Sequence, residues 1–372
     1  MKKIKLNNGY EIPEIFFGPV LPRTGTGYGA PSDGSQPAEF MELCQAAVDA
    51  GFRAFDSASR YGTESKIGEF IRNCGIPREE LFFCSKLNNM NHGYESALAD
   101  IDGSLERSGL DYLDLYLIHC PVPMKGEFVN SWKALEKRYK EGKIKAIGVS
   151  NFTVQHFYDL AEVSDVVPAV NQIEQHPFYV QNDLQAYMKH HNIVSMSYSP
   201  LGGGKFANDP RLLPIAEKHN KSIVQIILRW HIQMGFIPVT RSSVVSRTME
   251  NGNIFDFELD ADDMAYIASL NHLTRTWHNP QRFPGTNAHK RVETDFIRTV
   301  DEEIAGLPDD KKNEILEKEN ELLASQDVDR TIDYIIYCFN LAVSKYGPNV
   351  HIEDQAAEEA IRLAKEFVKK NL

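Results

Sequence analysis

Between Ile15 and Asn251 short apolar runs of strand type alternate with amphipathic helical stretches, and this alternation restricts the chain to repeated βα units around a parallel sheet. The runs are Ile15 to Phe17, Arg53 to Phe55, Leu81 to Ser85, Leu113 to Ile118, Ala146 to Val149, Ala169 to Ile173, Ile193 to Tyr198 and Phe236 to Pro238. Between them lie helical stretches such as Glu39 to Asp49, Tyr94 to Gly109, Val129 to Glu141 and Ile223 to Gln233, whose apolar residues recur three or four apart. Eight strands with eight crossovers predict an α/β fold closed as a (β/α)8 TIM barrel, not an open doubly wound sheet. Such a barrel carries its chemistry where the strands end, so polar residues at strand C-termini are the ones to weigh. An N-terminal β-hairpin, Ile4-Lys5-Leu6 then Asn7-Asn8-Gly9 then Tyr10-Glu11-Ile12, has an Asn-Gly turn and is expected to cap the barrel floor.

Beyond about Gly285 the alternation stops, which divides the 372 residues into a barrel over 1–285 and a C-terminal helical extension over 286–372. Helical patterns run from Asp301 to Leu323, Thr331 to Tyr346 and Glu353 to Lys370, and the last two carry apolar stripes. The formal net charge of -12 leaves no broad basic surface to neutralise nucleic-acid phosphates. Met1-Lys2-Lys3-Ile4-Lys5-Leu6 turns polar at Asn7, unlike a signal peptide, and no stretch approaches the roughly 20 apolar residues of a spanning helix. The five cysteines are scattered and form no Cys-x-x-Cys pair, which argues against a disulfide framework or zinc site and for a cytoplasmic protein. His190-His191, His272 and His278 lack the spacing of metal ligands.

Five strand-end segments are too polar for a packed core: Asp56-Ser57-Ala58, Tyr61-Gly62, Lys86-Leu87, His119-Cys120-Pro121 and Gly148-Val149-Ser150-Asn151. In this combination the chain resembles the aldo-keto reductase family, from about Lys3 to Leu273. The resemblance implies an oxidoreductase that reduces an aldehyde or ketone to the alcohol, with Asp56, Tyr61, Lys86 and His119 in the places of the family's catalytic aspartate, tyrosine, lysine and histidine. Elementary chemistry agrees. Hydride arriving at a carbonyl carbon leaves negative charge on oxygen, which calls for a proton donor and fixed positive or donor groups beside it. Tyrosine alone is a poor acid near neutrality; a neighbouring lysine favours tyrosinate, and a carboxylate keeps a buried lysine charged. A histidine can orient the substrate oxygen.

The same resemblance implies NADPH (or NADP+) as cofactor in preference to NADH. Ser150, Asn151 and Gln172 would hold the nicotinamide carboxamide, and Tyr198 would stack on its ring. Ser199, Leu201 and Gly202 continue the cofactor wall, and Gly202-Gly203-Gly204 lets backbone approach the pyrophosphate. Arg241, Ser242, Arg247 and Asn251 resemble the family's adenosine 2'-phosphate motif, at a helix N-terminus suited to an anion. Here the chain departs from the pattern, since Val239-Thr240 separates Pro238 from Arg241. Gly25-Thr26-Gly27-Tyr28-Gly29 has the wrong spacing for a dinucleotide fingerprint. Cys120 stands where the family commonly has tryptophan, which implies a wider substrate pocket. The Pro19 to Pro37 loop and the segment after Thr274 also depart from the family and would shape the substrate mouth. The expected partner is a small carbonyl substrate, with no nucleic acid or membrane, in a monomer or homodimer. The rival function is an NADPH-binding sensor or regulatory subunit with little turnover.

Overall fold

The computed structural model describes residues 2–19, 38–122, 126–271 and 275–276. The segment over 286–372 expected to be helical, residues 20–37 with the Gly25–Gly29 run, His272, His278 and Cys338 lie outside the described residues. A two-stranded hairpin, β1 (Lys3–Lys5) and β2 (Glu11–Pro13), precedes the barrel, with Ile4 opposite Ile12. The barrel strands are β3 (Phe16–Phe17), β4 (Ala54–Asp56), β5 (Phe82–Leu87), β6 (Leu113–Ile118), β7 (Ile144–Ser150), β8 (Val170–Glu174), β9 (Val194–Tyr198) and β10 (Ile237–Thr240). All pair in parallel, and β10 closes against β3, so the predicted (β/α)8 barrel is the observed fold. Helices α1 (Phe40–Asp49), α2 (Glu64–Asn73), α3 (Tyr94–Ser108), α4 (Phe128–Lys140), α5 (Val154–Ala161) and α6 (Asn182–His190) each lie in one crossover. Helices α7 (Leu213–His219) and α8 (Ile223–Gln233) share the crossover to β10, and α9 (Val245–Gly252) and α10 (Ala261–Ser269) follow it. No helix among the described residues is long and apolar enough to cross a membrane.

Strand parity sorts the side chains into two cores. Phe16, Ala54, Phe82, Cys84, Leu115, Leu117, Val170, Met196 and Ile237 fill the barrel interior. Their alternate neighbours Phe17, Phe55, Phe83, Tyr116, Ile118 and Ile173 pack outward with Leu43, Ile67, Phe70 and Trp132 of the helices. Two residues along the inward register from Ala54, Cys84, Val170 and Met196 stand Asp56, Lys86, Gln172 and Tyr198. The step that ends the apolar floor therefore begins the polar mouth.

The hairpin closes the opposite end, as its sequence predicts. Leu6 and Ile12 are buried in the interior cluster. Asn7 donates to the Pro168 carbonyl (3.1 Å), Asn8 to that of Lys145 (2.9 Å), and the Tyr10 hydroxyl to Asp114 (2.7 Å). Asp114 also accepts from Arg78 (2.6 Å) and from the Phe83 amide (2.8 Å), so it joins hairpin, β5 and β6. Tyr10→Phe should therefore cost about 1–3 kcal/mol of unfolding free energy in a denaturant titration, with turnover at the far end of the barrel unchanged.

Candidate active site

Lys86 is fully buried, and a buried ammonium persists only with compensating partners. Its Nζ donates to Asp56 Oδ2 (2.6 Å) and to the Ser57 carbonyl (2.7 Å), and lies 5.4 Å from the centre of the Tyr61 ring. Burial alone would lower the lysine pKa, but Asp56 and then Tyr61 outweigh it and hold the value above the ordinary one. Lys86 is thus a permanent cation. Asp56 uses its other oxygen to accept from Gln172 Nε2 (2.9 Å) on β8.

Tyr61 ends the short 3-10 turn Ser59–Tyr61 that follows β4, and Gly62 at φ 71° lets the chain turn sharply into α2. Its hydroxyl lies 3.1 Å from His119 Nε2. Burial raises the phenol pKa and Lys86 opposes it, with a net rise tempered by solvent because the side chain is 46% exposed. The hydroxyl therefore keeps its proton at neutral pH. His119, one residue past β6, is held well below its ordinary pKa by burial first and by the cations Lys86 and Arg60 next, so its ring is neutral. Its Nδ1 is buried with no hydrogen-bond partner among the described residues, which favours the tautomer that leaves a bare lone pair there and places the proton on Nε2, facing Tyr61. The structure brings Asp56, Tyr61, Lys86 and His119 together.

The expected cofactor residues form a hydrogen-bonded arc beside these four. Tyr198 donates to Asn151 Oδ1 (2.8 Å); Asn151 Nδ2 donates to the His119 carbonyl (2.9 Å) and to Ser150 Oγ (3.1 Å). Ser150 Oγ in turn donates to the Gln172 carbonyl (2.7 Å). Asn151 sits in the left-handed region (φ 63°), which asparagine tolerates. These groups have protein partners, so a carboxamide would exchange with them and not meet idle donors. Past Ser199 and Leu201, Gly202 has φ 58°, and a Cβ there would meet the Phe206 ring at 2.2 Å. The glycines after it border open space on their Cβ side.

The offset of Arg241 from Pro238 has a simple origin. Pro238 pairs with Ser197, while Val239 and Thr240 pair with Phe16 and Phe17 and complete β10 at the closing seam. Arg241 is consequently the first residue after the strand, just before α9, and Arg247 stands in that helix's first turn. Ser242 Oγ accepts from the Val244 amide (3.0 Å) and donates to the Val244 carbonyl (2.9 Å), forming a local turn at the start of this segment. Asn251 is buried at the other end of α9. At the position where a wider pocket is expected, Cys120 is 3% exposed and packs on Val122, and burial pushes its thiol up to about 12.

Two supports went unforeseen. His92, buried, contacts the Cys120 carbonyl through Nε2 (2.9 Å) and Ser131 Oγ through Nδ1 (3.0 Å), bracing the loop of His119. Asp100 on α3 gathers donors from the loops after β4 and β5. Neither lies at a strand end, where barrel logic directs attention.

A polar cluster at the C-terminal mouth of a parallel barrel is where a TIM-barrel enzyme places its chemistry. A sequence model of the Aldo/keto reductase family matches residues 23–272. The glyoxal reductase of Bacillus subtilis (strain 168) is 43% identical over 277 residues, 74% of this chain and 95% of the relative. The 9,11-endoperoxide prostaglandin H2 reductase of Trypanosoma cruzi (strain CL Brener) is 40% identical over 284 residues, 75% of this chain and 99% of the relative. The crystal structure of a Bombyx mori aldo-keto reductase in complex with NADP superposes with a TM-score of 0.66 at 33% identity, covering 74% of this chain and 95% of that one. The chain belongs to the aldo/keto reductase family.

The neutral imidazole can be checked directly. In 15N-edited NMR, His119 should remain an uncharged Nε2–H tautomer between about pH 5 and 8, where an ordinary histidine titrates. Titration near its usual value would contradict the electrostatics described above.

Proposed function

We propose that this protein reduces an aldehyde or ketone to the alcohol with NADPH, and that Tyr61 delivers the proton. The observation that carries this reading is the approach of the Tyr61 hydroxyl to His119 Nε2 (3.1 Å) beside the buried Lys86–Asp56 pair. A carbonyl oxygen that accepts from both the phenol and the imidazole is polarised by two fixed donors. The bound nicotinamide supplies the hydride. As charge develops on the substrate oxygen, Tyr61 passes its proton to it, and the nearby ammonium of Lys86 favours the phenolate left behind. Asp56 keeps that ammonium charged. The glyoxal reductase and the NADP-bound structure among the relatives support the reaction class and the cofactor.

The chain's own residues fit that cofactor in two places. Gly203 and Gly204 offer backbone with open space beside it, and α9 begins between two arginines, where amide groups, helix dipole and guanidinium forks act together on an anion. Ser150, Asn151, Gln172 and Tyr198 present the amide and aromatic groups for the nicotinamide end.

Tyr61→Phe removes the acid and keeps the ring, so kcat for glyoxal reduction should fall by roughly 100- to 10,000-fold while NADPH still quenches protein fluorescence with parental affinity. A Phe variant that turns over near the parental rate would falsify the assignment. Replacing Arg241 and Arg247 together by alanine should weaken NADPH by roughly tenfold or more, with NADH little affected, because only NADPH carries the 2'-phosphate. Equal loss for both cofactors in titration calorimetry would exclude the phosphate role.

A further inference from the structure

We propose that Asp100, bridged to Glu64 by Arg107, is a positioning residue that fixes Tyr61 against Lys86; the inference rests on Tyr61 as the proton donor. Asp100 lies on α3, outside the barrel mouth, and is 7% exposed. Its Oδ2 accepts from Ser59 Oγ (3.1 Å), the Asn88 amide (2.8 Å) and the Tyr116 hydroxyl (3.2 Å), and its Oδ1 from Asn91 Nδ2 (3.0 Å). Ser59 opens the turn that ends in Tyr61, and Asn88 lies two residues beyond Lys86. One carboxylate therefore grips both loops.

Glu64 repeats the arrangement from the other side. It opens α2 three residues after Tyr61 and accepts from the hydroxyl of Ser85, the neighbour of Lys86. Arg107 joins the two acids, with Nε on Glu64 Oε2 (2.6 Å) and Nη2 4.0 Å from Asp100 Oδ1. A buried carboxylate is stable only while its donors converge on it, and bonds to a charged acceptor are stronger than neutral ones. Withdrawal of Ser59 or Asn88 would thus be resisted by the whole network. The spacing between Tyr61 and Lys86 depends on the same two loops, and misplacement by about an ångström can cost of order a hundredfold in rate.

The carboxylate also has a partner that does not lead to the mouth, and this separates positioning from stability. Ser59→Ala cuts only the link to the Tyr61 turn, Asp100→Asn turns donors of its own towards those it now accepts from, and Tyr116→Phe removes a donor on β6. With glyoxal and NADPH as probes, Ser59→Ala and Asp100→Asn should each lose about tenfold or more in kcat at parental NADPH affinity. Ser59→Thr, which keeps the hydroxyl, should restore the rate. Tyr116→Phe should lower the melting temperature at parental kcat. Hydrogen exchange of the Tyr61 amide, which donates to the Ala58 carbonyl at 2.9 Å, should quicken in the first two variants only. Parental kcat and exchange in Ser59→Ala, or an equal rate loss in Tyr116→Phe, would overturn the inference. An active Tyr61→Phe variant would instead sink the reading beneath it, and the exchange result would still decide whether Asp100 holds the turn.

Discussion

The site depends on a lysine ammonium with no contact with solvent. Removing such a charge from water carries a penalty of several kcal/mol, which the structure offsets with a carboxylate at 2.6 Å, a backbone carbonyl at 2.7 Å and the face of an aromatic ring. The partners come from different segments: Asp56 from the end of β4, Ser57 from the loop after it and Tyr61 from the turn beyond. Asp56 is itself held by Gln172 from across the barrel. The ion pair thereby ties β4, β5 and β8 together at the mouth, and it can exist only where the parallel strands end at one level.

That level is set by strand parity, which explains what a reading of residues alone could recover. In Phe82-Phe83-Cys84-Ser85-Lys86, inward positions run Phe, Cys, Lys, and the change from apolar to polar marks the top of the barrel. Ala54 to Asp56 and Val170 to Gln172 repeat it. Asp56, Lys86, His119 and Gln172 were legible because each interrupts an apolar strand at its last turn or just beyond. The Arg241 offset was legible only as an anomaly, since nothing in Ile237-Pro238-Val239-Thr240 says that the last two residues belong to the seam with β3. The use of the Ser242 hydroxyl within its own turn, and the contact of Cys120 with Val122, depend on backbone conformation that composition does not encode.

Asp100 shows another kind of limit. Asp100, Ser104 and Ser108 recur four apart on the buried face of α3, where Ala97, Leu98 and Ile101 make an ordinary apolar stripe. The polar row is visible in the chain, yet its meaning lies in partners far along the sequence: Ser104 approaches the Tyr116 hydroxyl (3.3 Å), and Tyr116 in turn donates to Asp100. A periodicity identifies the face a helix buries. It does not identify which of that face's neighbours carry a reactive group.

The two sides of the mouth are also chemically continuous. From Tyr198 the hydrogen bonds pass through Asn151 to Ser150, from Ser150 to the Gln172 backbone, and from the Gln172 amide to Asp56, which holds Lys86. A half-satisfied polar network in this setting would be costly, and each of these side chains has a hydrogen-bond partner within the barrel. The side chains proposed to receive the nicotinamide therefore stand in defined orientations, held by partners with which a carboxamide would exchange. The same continuity has a second effect. It joins Asn151 and Gln172 to Asp56, and through Asp56 to the ammonium beside Tyr61, by bonds that run along the barrel rim.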